Sequence, residues 1–303
     1  MANIQKKYII LSSIVVVLVV ILIFTVTLKN KGYSLPQFKT INTQLSEITI
    51  TRNGNETITI KFNDNKWIVN DKYNADFNAI ESITNAFNNI QPVELLSRGS
   101  DEILDKYRLS DNEALIVKAK DISSKEVRNI RFGMKANFGN LVYAQINNDK
   151  NVYLIGNIPI NPKDIFDKTE DDLINKTISS VKIDDINKIN ISYNNNLYTI
   201  EKTDSTNWTK TWNNKNIDQN DIYTSLYSIA NLEADGLIKD NTQKSNLLYK
   251  IEIYLLDNKT VSYNIYSKTD NYEIELVNDN NRYYLLESSF QNLEEKINDI
   301  IKN

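Results

Sequence analysis

The sequence predicts an α+β protein: an N-terminal transmembrane helix followed by two tandem repeats of mainly antiparallel sheet with helices. Three observations carry this reading. Residues 9–28 form an unbroken apolar run. Most of the remaining chain consists of short segments alternating apolar and polar side chains, the period of a half-buried strand, punctuated by Asn- and Gly-containing turns. The order of elements then returns with the same spacing: Ile48 to Trp67 and Ile189 to Trp208 both span 19 residues, and Trp67 to Asp76 and Trp212 to Asp221 both span nine. Strands with segregated helices favour antiparallel pairing, and 303 residues suit about two domains after the apolar run.

Ile9 to Leu28 holds 20 residues without charge, Pro, Gly, Asn or Gln. At about 1.5 Å per residue a helix of that length reaches about 30 Å, the thickness of a bilayer's hydrocarbon core. Lys6 and Lys7 precede it, Lys29 and Lys31 follow it, and Tyr8 stands at the interfacial position. The run exceeds the apolar core of a cleaved signal peptide, and Lys29-Asn30-Lys31-Gly32-Tyr33 offers no small-residue cleavage site, so an uncleaved anchor is expected. A short tail with two lysines stays inside. The expected organisation is a cytoplasmic tail (1–8), a transmembrane helix (9–28), a stalk containing Pro36 (29–45), a first α+β repeat (46–178) and a second (179–303), both repeats outside the cytoplasmic membrane.

In the first repeat, Ile48–Arg52 and Glu56–Phe62 alternate around Asn53-Gly54, the strongest short hairpin signal, because a type I′ turn needs positive φ at both central residues. Lys66–Val69 is a third strand. Asp76 caps a helix running to about Ile90, with Phe77, Ile80, Ile83 (or Thr84), Phe87 and Ile90 inward. An irregular link leads to four strands, Ala114–Ala119, Val127–Phe132, Leu141–Ile146 and Val152–Ile155, and a helix over Pro162–Ile174 closes the unit. In the second repeat, strands begin at Ile189 and Leu197. Trp208-Thr-Lys-Thr-Trp212 reads as one strand with both tryptophans on one face, and Asp221 starts a helix with Ile222, Leu226, Ile229 and Ala230 inward. Ile251–Leu256, Val261–Tyr266, Tyr272–Val277 and Tyr283–Leu286 form the second meander. A helix over Ser288–Ile301 carries Phe290, Leu293, Ile297 and Ile300 (or Ile301).

Composition removes much chemistry. With no cysteine there are no disulfides, thiolate metal sites or cysteine nucleophiles; with no histidine the commonest general base and metal ligand is missing. The seven glycines form neither GxGxxG nor GxxxxGK[ST]. The sequence therefore points to no enzyme, no catalytic residue, no cofactor and no metal. Residues 1–31 hold four lysines and no acid, so the remainder has 35 − 4 = 31 basic against 39 acidic residues, a net charge of −8 that repels nucleic acid. Asparagine (45 residues) and lysine (29, against six arginines) reflect AT-rich coding.

A set of segments carries a family resemblance: Ile48-Thr-Ile, Lys66-Trp67-Ile-Val, Ala75-Asp76, Tyr107-Arg108-Leu109, Phe132-Gly133, Leu141-Val-Tyr-Ala, Val152-Tyr-Leu-Ile and Leu173-Ile-Asn-Lys-Thr-Ile178. Together they resemble the bacterial domain of unknown function numbered 4340 over roughly residues 45–200, with the tail as a weaker second copy. The family typically has Tyr-Gly-Leu where this chain has Arg108. The resemblance implies one N-terminal anchor and an accessory role beside ABC-type transport components, with permease and ATPase subunits as partners. It supplies no catalytic residues.

Candidate sites follow from residue type. The pairs Asp101/Glu102, Asp171/Asp172 and Glu294/Glu295 read as solvated surface, because adjacent helical residues diverge by about 100°. Asp270 and Asp279 lack the spacing of a calcium loop. Trp67, Trp208 and Trp212 together offer an aromatic platform for a glycan or peptide, although a tryptophan on a strand beside a helix is usually core. Trp208, Trp212, Tyr263, Tyr266 and Tyr283 form the candidate interaction face, since Trp and Tyr combine apolar area with a polar tip. The expected function is a membrane-anchored scaffold or accessory of an ABC-type envelope transport complex. The alternative is an extracytoplasmic binding protein for a glycan or peptide; a membrane-anchored hydrolase ranks third.

Overall fold

The structure, a computed structural model, describes residues 13–25, 35–239, 246–268, 271–277, 279 and 281–302. Residues 13–25 are helical (α1), with the apolar side chains from Ile14 to Phe24 turned outward. The rest of the expected span, the expected cytoplasmic tail and the start of the expected stalk lie outside the described residues. Among the described residues no helix is long and apolar enough to cross a membrane.

The architecture is mixed α and β with antiparallel sheets. The first sheet comprises β1 (Leu45–Arg52), β2 (Glu56–Asn63), β3 (Lys66–Val69), β4 (Tyr73–Asn74), β5 (Gln91–Arg98), β6 (Leu115–Asp121), β7 (Glu126–Lys135), β8 (Val142–Ile146) and β9 (Asn151–Gly156). Helix α2 (Phe77–Asn89) joins β4 to β5, and α3 (Asp101–Lys106) follows β5. After β9 come α4 (Pro162–Phe166) and α5 (Glu170–Leu173). A two-stranded sheet pairs β10 (Thr177–Ser180) with β15 (Asn231–Glu233). The second large sheet comprises β11 (Ile186–Tyr193), β12 (Asn196–Lys202), β13 (Asn207–Lys210), β14 (Lys215–Asp218), β16 (Gly236–Leu237), β17 (Leu247–Leu255), β18 (Thr260–Ser267), β19 (Tyr272–Leu276) and β20 (Arg282–Leu285). Its helices are α6 (Gln219–Ala230) and α7 (Glu287–Lys302).

The two strand orders are one order repeated: β4-β3-β2-β1-β6-β7-β8-β9-β5 and β14-β13-β12-β11-β17-β18-β19-β20-β16. In each, a four-stranded meander leads into a helix, the next strand of that sheet lies at the far edge, and a second meander fills the space between. Each sheet has nine strands rather than the expected seven. The additions are edge pieces: β4, β14 and β16 are two to four residues long, and β5 reads as an irregular link because Pro92 and two register shifts against β9 break its alternation. Proline belongs at an edge, where its missing N–H interrupts no ladder.

By contact the chain divides into two compact units. One is the described chain up to Thr57 with Ile83–Asp167; the other is Ile58–Ser82 with Lys168 onward. Backbone bonds explain why Ile58–Ser82 joins the later residues: the Asp76 N–H donates to the Leu173 carbonyl (2.8 Å) and the Asn175 N–H to that of Asn74 (2.8 Å).

Local chemistry fixes most elements. Asn53 and Gly54 have φ of 47° and 70°, as the hairpin turn demands. Asp76 accepts from the Ala79 N–H (2.7 Å) and caps α2. Ile80, Ile83, Phe87 and Ile90 are buried, but Phe77, in the first turn, is 72% exposed. The expected helix over Pro162–Ile174 is two, because Thr169 and Asp172 form a capping box that starts α5 afresh. Asp218, three residues before the expected start, caps α6. Among the described residues fourteen non-glycine residues have positive φ; twelve are Asn or Asp, and the others are Arg108 and Ser124. Asparagine thus does the turn work that seven glycines leave undone.

The later part of the expected stalk is fastened to the first unit. The Phe38 N–H donates to Gln91 Oε1 (3.0 Å) and the Ile41 N–H to Asn88 Oδ1 (2.9 Å). The buried Arg128 guanidinium lies 4.8 Å over the Phe38 ring and donates to the carbonyls of Lys39 and Phe87.

Candidate functional site

The aromatic candidates separate. Trp208 is fully buried and its Nε1–H donates to Gln219 Oε1 (3.1 Å). Tyr263 is fully buried, its hydroxyl donates to the Ile229 carbonyl (3.0 Å), and burial pushes its ionisation far up. Tyr283 is buried, donates to Asp279 Oδ2 (2.9 Å), and is pushed up to about 12, chiefly by burial and then by Asp279. Tyr266 is half-buried and donates to Glu275 (3.1 Å). Trp212 is not on the Trp208 strand. It sits half-buried in the β13–β14 turn, edge-on to Tyr198 at 5.2 Å. Strand β13 ends at Lys210 because residues 211–214 turn back, with Asn214 at φ 55°. Three of the five aromatics are therefore core, and their polar tips are satisfied inside it. Trp67 is half-buried, edge-on to Phe62 at 5.3 Å.

Beside Trp212 lies a group the sequence reading passed over. Lys210 is fully buried, its Nζ has no hydrogen-bond partner among the described residues, and the Trp212 ring is 5.4 Å away. It faces Ile200 as Val69 faces Ile60 in the first sheet, so it fills an aliphatic position. Burial, then the charge of Lys215, holds its ammonium below the usual lysine range.

The carboxylate pairs diverge. Glu294 accepts from the Tyr249 hydroxyl (3.0 Å) while Glu295 pairs with Lys296 (2.8 Å). Asp172 is held low, chiefly by the Thr169 hydroxyl, while Asp171 takes no part in that cap. Asp101 and Glu102 occupy the first turn of α3, capped by Ser100. Asp270 lies outside the described residues. Among the described residues no three His, Cys, Asp or Glu are grouped to hold a metal.

The first unit brings two of the family-like segments together. Tyr107-Arg108-Leu109 closes α3 and rests on Gly133: the Met134 N–H donates to the Tyr107 carbonyl (2.9 Å), and a Cβ on Gly133 would lie 2.1 Å from that oxygen. Glycine is required there by close backbone approach. Arg108 has φ 55°, in the left-handed region that favours glycine. Leu109 is buried and Tyr107 stacks on Tyr143 at 4.4 Å.

Two polar clefts border this turn. One, of about 460 Å³, lies between α3, the outer face of β6–β8 and the β8–β9 turn, and offers Lys118, Asn129, Arg131, Gln145, Asn148 and Asp149. Arg131 is bound to Asp111 (2.6 Å) and to the Leu109 carbonyl (3.0 Å). Burial works to raise Asp149, but hydrogen bonds from Tyr153 and Asn151 bring it below the usual carboxylate range. The other cleft, of about 480 Å³, is lined by Asn53, Arg108, Asn112, Glu113, Met134, Lys135, Lys163, Asp164 and Asp167. Periodicity does not reveal either, since each collects residues from distant segments.

A family model described as Domain of unknown function (DUF4340) matches residues 67–250, more than half of the chain and later at both ends than the resemblance suggests. No curated protein and no solved structure matches the chain.

Proposed function

The chain belongs to the DUF4340 family, and from that premise we propose that it is a membrane-anchored, extracytoplasmic accessory or scaffold protein of an ABC-type envelope transport complex, acting by protein–protein contact. Residues 9–28 are its single-pass anchor, with the N-terminus inside and both repeats outside. The observation that carries the reading is α1: from Ile14 to Phe24 its apolar side chains are about half or more exposed on every side. A helix apolar all round needs lipid or other helices about it. The Thr25 hydroxyl donates to the Leu22 carbonyl (2.9 Å), so this polar group is satisfied within the helix, as a lipid environment demands. The permease and ATPase partners come from the family resemblance alone.

Affinity capture of the full-length protein from its native membrane in mild detergent, read by mass spectrometry, tests this. Stoichiometric recovery of permease and ATPase subunits supports it. Recovery of the bait alone, repeated under crosslinking, overturns it. The reading as a glycan or peptide binder has one observation in its favour, the amide-rich cleft of about 460 Å³. Saturable binding of an envelope glycan or peptide, lost in Asn129→Ala with Gln145→Ala, would favour that reading.

A further inference from the structure

The second cleft combines a strained residue with unspent charge. Among the described residues Arg108 is the only cationic one of the fourteen non-glycine residues in left-handed backbone. An ordinary side chain is disfavoured there by roughly 1–2 kcal/mol, and backbone outliers of this kind gather at binding sites. Three acids line the cleft: Asp164 is ion-paired with Lys135 (2.5 Å) and Asp167 with Arg52 (2.7 Å), while Glu113 accepts only from the neutral Ser110 hydroxyl (3.2 Å) and keeps its charge. Two cations remain. Among the described residues Arg108 has no ion pair or side-chain hydrogen bond. Lys163 is half-buried and donates only to the neutral Gly133 carbonyl (2.7 Å).

We infer that this cleft is an oxyanion site, in which the Arg108 guanidinium and the Lys163 ammonium hold one carboxylate or phosphoryl group. The guanidinium supplies a fork that matches two oxygens, and the ammonium supplies a compact charge beside it. Lys163 is held below the usual lysine range, first by burial, with Lys135 and Arg108 adding like charge against the opposing pull of Asp167 and Asp164. A bound anion relieves both. The inference does not depend on the scaffold reading.

The test titrates full-length protein in a neutral detergent with sodium phosphate and, separately, sodium acetate, by calorimetry at ionic strength fixed with chloride. Wild type is expected to bind at least one of the two saturably at one site. Phosphate binding identifies a phosphoryl ligand, acetate binding a carboxylate, and either supports the site. In Arg108→Gly the dissociation constant should rise at least tenfold while the thermal midpoint holds or rises, because glycine suits φ 55°. Arg108→Lys should fall between the two. Unchanged binding in Arg108→Gly, or no heat from either anion beyond the chloride control, overturns the inference.

Discussion

Arg282→Met would strand Glu273, the most deeply buried carboxylate among the described residues at 1% exposure. The pair spans the β19–β20 hairpin on the diagonal, since Arg282 faces Glu275 in register yet donates to both oxygens of Glu273 at 2.6 Å. Bidentate, charge-assisted bonds of this kind are the strong ones, and breaking a buried pair from one side typically costs about 3–5 kcal/mol. A stranded carboxylate can instead take up a proton. At pH 7 neutralising a glutamate costs about 3.7 kcal/mol relative to the unfolded chain, which caps this contribution. We therefore expect a loss of about 3–4 kcal/mol at pH 7, falling to about 1–2 kcal/mol at pH 5, where proton uptake is easier. The sign follows from the unfolded chain releasing this proton more readily than the folded variant does, so the penalty is small below about pH 4–5 and grows as pH rises above it. Glu273→Met with Arg282→Met leaves no orphaned charge and should lie within about 1 kcal/mol of wild type. Urea unfolding of the full-length protein, followed by Trp208 fluorescence in the same sheet, reads all three. A loss under about 1 kcal/mol, a loss independent of pH, or a double variant no better than the single one would refute the reasoning.

Three further outcomes are expected. Gly133→Ala drives a methyl to 2.1 Å from the Tyr107 carbonyl and should cost about 2–3 kcal/mol in urea unfolding; a neutral result would contradict the close approach. Lys210→Met replaces a buried, unpartnered ammonium and should raise stability at pH 7 by about 1–3 kcal/mol. Because folding holds Lys210 below the ordinary lysine value, wild type gains stability as pH rises toward 10.5; the advantage of Lys210→Met must shrink over that window, and unfolding at pH 7 and 10 checks it. Arg128→Met removes the clamp on the Lys39 carbonyl, and tryptic cleavage after Lys39 should quicken at least tenfold while the β6 amides keep their hydrogen-exchange protection.

Much of the fold was legible because its signals are local. Alternation located both meanders, the Asn53-Gly54 pair located the first hairpin, and the equal spacing from Ile48 and Ile189 exposed the duplicated order. Signals failed where tertiary context overrides pattern. Strand β5 carries a proline and two bulges, and β16 is two residues of a sheet edge. Phe77 fits the helical period but lies exposed in its first turn. Trp212 fits the strand period but falls in a turn set by asparagine backbone. The clefts were not legible, since Arg108 and Lys163 line one cleft only because the Tyr107 carbonyl and the Lys163 ammonium both bond the Gly133–Met134 backbone. The tyrosines were visible as residues, but which hydroxyls face inward depends on acceptors such as the Ile229 carbonyl, which no periodicity locates.

The asparagine turns also shape the state the protein leaves when it folds. A glycine in place of each left-handed asparagine would widen the conformational range of the unfolded chain, worth about 0.4–1 kcal/mol per site before its easier left-handed backbone is set against it. Asparagine narrows that range and tolerates the left-handed backbone. In places its side chain closes the turn as well: Asn70 Oδ1 accepts from the Thr59 N–H (2.9 Å) and Asn147 Oδ1 from the Asn129 N–H (3.3 Å). Part of what steadies both sheets is therefore disorder withheld from the denatured chain, distributed over turns at their rims and invisible in any inventory of folded contacts.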